Sequence, residues 1–219
     1  MIPPLEAWGV SGDVRPLTGG HRNTVMRAGG YVLKTTRRSE AALRWLGPVH
    51  ERAAACGLGA PRLIESRAGT LLVDGWTCEP FCDGRPTGVQ EIRSQVSAFH
   101  SCGAGGVQRP GFASARDLVT RTAGGDVDLS KMPASLVARL RDAWADLSGA
   151  DVAIHADLNP SNILKDAEGR ICLIDWDEAR VDAPLFDTAQ TDHAARRAWE
   201  IACCWTVEPV RARALARAF

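Results

Sequence analysis

Neither sign of charge predominates in this chain: 26 Lys and Arg balance 26 Asp and Glu over 219 residues. That balance excludes a globally basic surface of the kind that holds a nucleic-acid backbone. No apolar run approaches the roughly 20 residues that a membrane-spanning helix requires. The opening MIPPLEAWGVSGDVRP lacks a basic start followed by an apolar stretch, so no secretory signal is expected. Cysteines stand at 56, 78, 82, 102, 172, 203 and 204, with no C-x-x-C pair to suggest a zinc knuckle. Free, mostly packed thiols in a reducing cytoplasm are the expectation. Internal repeats and low-complexity segments are absent as well. At 45% hydrophobic and 24% charged, the composition fits a folded globular chain and neither a disordered nor a membrane one.

The first third reads as strands separated by turns. Val14–Leu17 precedes Gly19-Gly20, and Thr24–Ala28 and Tyr31–Thr35 are joined by Gly29-Gly30, the pattern of a hairpin. Ser39 is a helix cap for an apolar face of Ala42, Leu43, Trp45 and Leu46, with Gly47-Pro48 positioned to break or restart the helix. Arg62–Glu65 and Thr70–Val73 suggest a second pair of strands. Asp83-Gly84-Arg85-Pro86 is a turn that divides a strand-rich part, 1–82, from a helix-rich part, 83–219. In the second part Val89–His100 has helical spacing. Leu136, Leu140, Trp144 and Leu147 form a core-facing stripe, and the Ala/Arg-rich tail is helical with an interruption at Pro209.

The chemistry concentrates in Ile154-His155-Ala156-Asp157-Leu158-Asn159-Pro160-Ser161-Asn162-Ile163-Leu164, followed by Arg170-Ile171-Cys172-Leu173-Ile174-Asp175-Trp176-Asp177. This is H-x-D-x-x-x-x-N, a turn over Asp166-Ala167-Glu168-Gly169, and an apolar strand ending on an acid. An antiparallel hairpin there brings Asn162, at the start of one strand, toward Asp175, at the end of the next. Two such oxygen donors beside Asp157 suit a hard cation such as Mg²⁺, which is held through a few protein oxygens together with phosphates.

These residues resemble the catalytic loop and metal-binding aspartate of the aminoglycoside phosphotransferase and choline kinase-like family, within the protein-kinase-like superfamily. The resemblance implies an α+β, two-lobed kinase-like fold. A small β-rich nucleotide-binding lobe (1–82) would precede a helical lobe (83–219) carrying the catalytic loop. Because only positions 188–219 follow Asp187, the C-terminal subdomain is expected to be truncated. Pro184-Leu185-Phe186-Asp187 matches the family's D-P-x-x-D segment with Ala183 in place of the first Asp, and Asp187 would brace the catalytic loop.

Carried over residue by residue, the resemblance implies that Asp157 is the base or orienting group for an acceptor hydroxyl. Asn162 and Asp175 would hold Mg²⁺ on the nucleotide phosphates, and His155 would order the loop. Leu17-Thr18-Gly19-Gly20-His21-Arg22-Asn23 resembles the nucleotide-positioning loop, so Gly19 and Gly20 would approach phosphate. Lys34 takes the place of the strand lysine that contacts the α- and β-phosphates, fixed by Glu40 or, further along, Glu51. Backbone around Glu79 and Phe81 would face the base. The implied reaction moves the γ-phosphoryl group of ATP, or alternatively GTP, to a hydroxyl of a small molecule. The alternatives are a nucleotide-binding pseudokinase and a protein Ser/Thr kinase. Only eight residues separate Asp175 from Pro184 and nothing there reads as A-P-E, which argues for a small acceptor. Neither nucleic acid nor membrane is an expected partner, the protein is expected to be a monomer or homodimer, and its location cytoplasmic.

Overall fold

The computed structural model describes residues 2–17, 22–103, 106–188 and 193–219. The expected Gly19-Gly20 loop lies outside the described residues. In chain order the strands are β1 (Val14–Pro16), β2 (Val25–Ala28), β3 (Tyr31–Thr35), β4 (Leu58–Gly59), β5 (Trp76–Pro80), β6 (Arg85–Pro86), β7 (Ala123–Gly124), β8 (Val127–Asp128), β9 (Val152–Ile154), β10 (Ile163–Lys165), β11 (Ile171–Leu173) and β12 (Arg180–Asp182). The α-helices are α1 (Glu40–Arg44), α2 (Leu46–Ala55), α3 (Arg93–Cys102), α4 (Ala115–Leu118), α5 (Ala134–Ala145), α6 (Leu185–Thr188), α7 (Ala194–Cys204) and α8 (Pro209–Arg217). The chain forms two compact units. One is Met1–Gln95 with Asn159–Ile174, and the other Val96–Leu158 with Asp175–Phe219. The first unit therefore extends beyond the Asp83–Pro86 turn and takes in the hairpin that follows the H-x-D motif.

The first unit holds two four-stranded sheets, ordered β1-β2-β3-β5 and β4-β11-β10-β6. Gly29-Gly30 closes the β2–β3 hairpin, with Ala28 opposite Tyr31. Gly29 has φ +57°, a conformation glycine adopts without a Cβ penalty. Alternation along the strands gives this sheet one apolar face: Ala28, Leu33, Trp76 and Cys78 are buried together with Val10. Ser39 caps α1 by accepting the Ala42 N–H at 3.3 Å, and the helix is broken at Trp45 before α2 begins.

Arg62–Glu65 and Thr70–Val73 do not form the pair of strands their β-branched content suggests. Asp74 (φ +50°) and Gly75 (φ +80°) turn the chain so sharply that Val73 forms only an isolated bridge to Trp76. The free edge of β3 is taken instead by β5, in register from Tyr31 opposite Pro80 to Thr35 opposite Trp76. A second departure concerns the thiols. Cys82 and Cys172, 90 positions apart, are joined as a disulfide, and among the described residues the other five cysteines form no disulfide.

The second unit is helical around the β9–β12 ribbon and the short β7–β8 pair. The predicted stripe is its core: Leu136, Leu140 and Trp144 of α5 pack with Ala195, Ala198, Trp199 and Ala202 of α7. The Trp144 indole, fully buried, lies 6.2 Å from that of Trp199 and donates its N–H to Ala195 O at 3.2 Å. Pro209, read as an interruption, starts α8 at its first turn, where the missing N–H costs nothing. Among the described residues no helix is long and apolar enough to cross a membrane. Trp144→Ala, which removes both the packing and the hydrogen bond, is expected to lower unfolding free energy by about 3–5 kcal/mol. A urea midpoint close to wild type would refute this central role.

Candidate active site

The H-x-D loop leaves the second unit's ribbon at the end of β9, where Ile154 pairs with Arg180 of β12. It is held by one buried carboxylate. Asp187, 3% exposed, accepts the backbone N–H of His155 at 2.9 Å and of Ala156 at 2.6 Å, and lies 2.9 Å from His100 Nε2. An ionised carboxylate only accepts, so Nε2 carries the proton. Ala156 has φ +71°, a strained conformation for a residue with a Cβ, and its N–H bond to Asp187 holds it there. His155 Nδ1 accepts the Asp157 N–H at 3.3 Å, which fixes the backbone of the candidate base. The His155 ring also lies 4.6 Å from that of Trp176, the neighbour of Asp175, and Phe99 packs edge-on to Trp176 at 6.1 Å. These ring contacts tie the loop carrying Asp157 to the segment carrying Asp175.

Asp175 has φ +63°, so the strand leading to it turns abruptly there. The carbonyls that follow are gathered by a residue with no sequence signal of its own. Arg109, 1% exposed, places Nη1 3.1 Å from Trp176 O, 2.9 Å from Asp177 O and 3.0 Å from Ala179 O, with its guanidinium stacked 4.4 Å from the Phe112 ring. It sits in the connection between α3 and α4. A second buried cation, Arg180, donates to Asp182 at 2.8 Å and lies over the Trp199 ring at 3.4 Å. Asp182 in turn accepts the N–H groups of Ala115 and Ala183. Burial pushes its carboxyl above the ordinary value, against the pull of Arg180 and these N–H groups. This aspartate lies one position before Ala183, the position where the family pattern has its first Asp.

In the first unit the hairpin after the H-x-D motif forms as the sequence implies. β10 and β11 pair with Ile163 opposite Leu173, and Ile174 N–H donates to Asn162 O at 3.0 Å. Asn162, 7% exposed, thus faces the residue immediately before Asp175. An amide oxygen and a carboxylate are each hard oxygen donors, of the kind that suits Mg²⁺ and not a soft thiophilic metal.

Lys34 sits on β3 between Val25 and Thr77, and Glu79 lies opposite Val32 on β5. Residues opposite each other share a face, so Lys34 and Glu79 lie on the side away from Leu33, Cys78 and Trp76. Glu40 opens α1, and its carboxylate accepts the Leu71 N–H and pairs with Arg44 at 2.9 Å. Glu51 is 61% exposed and pairs with Arg62 at 3.3 Å. The Phe81 N–H goes to Gly30 O at 2.8 Å, and the Arg27 guanidinium covers its ring at 3.5 Å.

Burial alone would raise the Asp187 carboxyl. The hydrogen bond and charge of His100, the charge of His155 and the His155 N–H outweigh it and hold the group below its ordinary value. An aspartate with a depressed folded-state pKa contributes stability above the unfolded value of about 3.9, and that contribution is lost as pH falls through the lower folded value. Asp187→Asn is therefore expected to cost about 3 kcal/mol at pH 7, as breaking a buried ionic contact does. The gap from wild type should narrow progressively below pH 4. Urea titrations at pH 7 and pH 3 check this, and a gap independent of pH would refute it.

The sequence pattern of the phosphotransferase enzyme family, APH, matches residues 13–203. No curated protein sequence matches the chain. Among solved structures, an aminoglycoside phosphotransferase in ternary complex with AMP-PNP and hygromycin B is similar at 19% identity, with TM-score 0.60, over 98% of this chain and 96% of its own. An aminoglycoside phosphotransferase from Alicyclobacillus acidocaldarius is similar at 16% identity and TM-score 0.57, over 100% of this chain and 77% of its own. A choline/ethanolamine kinase family protein from Mesorhizobium loti follows at 19% identity and TM-score 0.52, over 96% and 86%. At these identities the likeness establishes the two-lobed kinase-like fold, while the family is established by the sequence pattern across most of the chain. The chain belongs to the phosphotransferase enzyme family.

Proposed function

We propose that the protein transfers the γ-phosphoryl group of ATP to a hydroxyl of a small molecule, in line, with Asp157 as the base. The observation that carries this reading is the anchoring of the His155–Asp157 loop on Asp187, because a base must be held rigidly within hydrogen-bond reach of the proton it takes. Asp157 orients the acceptor hydroxyl and receives its proton as the oxygen attacks phosphorus. Asn162 and Asp175 would each offer an oxygen ligand to Mg²⁺, which would supply positive charge for the nucleotide phosphates. Charge on the transferring group is neutralised, in this chemistry, by such an ion together with a cation, here Lys34.

Gly19 and Gly20 let backbone N–H groups approach the phosphates closely. Glu40 fixes Lys34 in preference to Glu51, whose carboxylate is turned to solvent with Arg62. Glu79 and Phe81 meet the base through the main chain, and since the Phe81 N–H is held by Gly30 O, its contribution is the carbonyl. GTP is the alternative donor. The zero net charge provides no overall field for a strongly cationic acceptor, so selectivity rests on local contacts. The setting proposed is cytoplasmic, for a monomer or homodimer.

Asp157→Ala is expected to lower turnover on the order of 10²- to 10⁴-fold with little change in nucleotide affinity. Asp175→Ala is expected to abolish the Mg²⁺-dependent thermal shift produced by ATP. The assay is ATP consumption by the purified protein against a panel of hydroxylated metabolites, sugars and aminoglycosides. Undiminished phosphoryl transfer by the Asp175 variant would overturn the assignment. Nucleotide binding without turnover on any acceptor would favour a pseudokinase.

A further inference from the structure

We propose that Cys82 and Cys172 form a reversible thiol–disulfide pair that couples redox state to nucleotide binding. The coupling to nucleotide rests on the reading above, whereas the pair itself does not. The two cysteines are 90 positions apart and are brought together by strand order. Leu164 of β10 lies opposite Pro86 of β6 on one side and opposite Cys172 of β11 on the other. Their Cα atoms are 6.8 Å apart, within the range a disulfide spans.

Both side chains are partly exposed, so a small thiol or disulfide can reach them. Cys78, four positions upstream, behaves oppositely: burial on the sheet's apolar face pushes its thiol up to about 12, which leaves it out of exchange chemistry. The pair's position gives it leverage. Cys82 is one residue beyond Phe81, and Cys172 is three residues before Asp175. Beyond Cys82 and Asp83, Arg85 and Pro86 pair with β10, where Gly84 approaches so closely that an added Cβ would lie 3.0 Å from Lys165 O. Cys172 is fixed between Leu164 and Gly59. Phe81 itself stays held by Gly30 O and Arg27, so reduction frees the Cys82–Asp83 connector from a strand that stays in place, and oxidation pins the connector to the strand leading to Asp175.

The exchange needs a low-molecular-weight disulfide such as glutathione disulfide. The thiolate of one cysteine attacks it, forming a mixed disulfide and expelling one thiolate. The thiolate of the other cysteine attacks the protein sulfur of that mixed disulfide and expels the second. Two protein thiols lose two electrons and two protons, and one small disulfide becomes two small thiols.

The test equilibrates the full-length protein with glutathione disulfide or with dithiothreitol, alkylates it, and maps its peptides without reduction. The expected result is a Cys82–Cys172 linked peptide in the first sample only. A loop of this length also predicts a Tm on the order of 10 °C lower after reduction. The apparent affinity for MgATP, read by thermal shift, should differ at least about fivefold between the two states. Cys82→Ser and Cys172→Ser should each abolish all three differences, and Cys102→Ser should leave them intact. Full alkylation of both cysteines after glutathione disulfide, or a linked peptide with unchanged Tm and affinity, overturns the proposal. A linked peptide and redox-dependent Tm in a protein that binds no nucleotide would retain the pair, refute its coupling, and count separately against the kinase reading.

Discussion

One carboxylate sets the geometry of the candidate catalytic loop. Asp187 is buried, where an unpaired charge is costly, and it is stable there only because His100 and two backbone N–H groups supply its hydrogen bonds. The same bonds hold Ala156 at positive φ and aim the chain so that Asp157 follows in a fixed place. Satisfying the charge and positioning the loop are therefore a single requirement. A neutral or shorter residue at 187 loses both, which is why a residue that touches no substrate in the proposed mechanism has so much influence on it.

The segment around Asp175 is organised on the same principle with the signs reversed. Arg109 is a buried cation whose Nη1 donates to backbone carbonyls of residues 176, 177 and 179, beyond a left-handed Asp175. Such carbonyls, once turned away from a strand ladder, need donors, and a guanidinium offers several in a rigid fork. Arg180 and Asp182 brace the ribbon from which the candidate catalytic loop departs, with Trp199 and Phe186 covering the guanidinium. Rigidity at the candidate site thus derives from four buried charged groups, Asp187, Arg109, Arg180 and Asp182, each bonded to backbone.

Local chemistry was legible wherever the sequence states it locally. The Gly29-Gly30 hairpin, the Ser39 cap, the α5 stripe and the turn over Asp166–Gly169 all follow from residue types and spacing within a few positions. The strand misreading at 62–73 has an equally local cause. Alternation and β-branching predict that a segment can be extended, but only the partner strand decides whether it enters a sheet, and Trp76–Pro80 took the available edge of β3.

The linear sequence by itself determined the family, the H-x-D-x-x-x-x-N hairpin and the candidate residues Lys34, Asp157, Asn162 and Asp175, because those motifs are short and their meaning survives without knowing the fold. Tertiary structure alone decided which distant groups serve them. Nothing in the spacing joins His100 to Asp187 across 87 positions, Arg109 to Trp176 across 67, or Cys82 to Cys172 across 90. Such pairings depend on how the strands and helices pack, and a lone histidine, arginine or cysteine looks the same in sequence whether it faces water or the one buried partner that gives it a role.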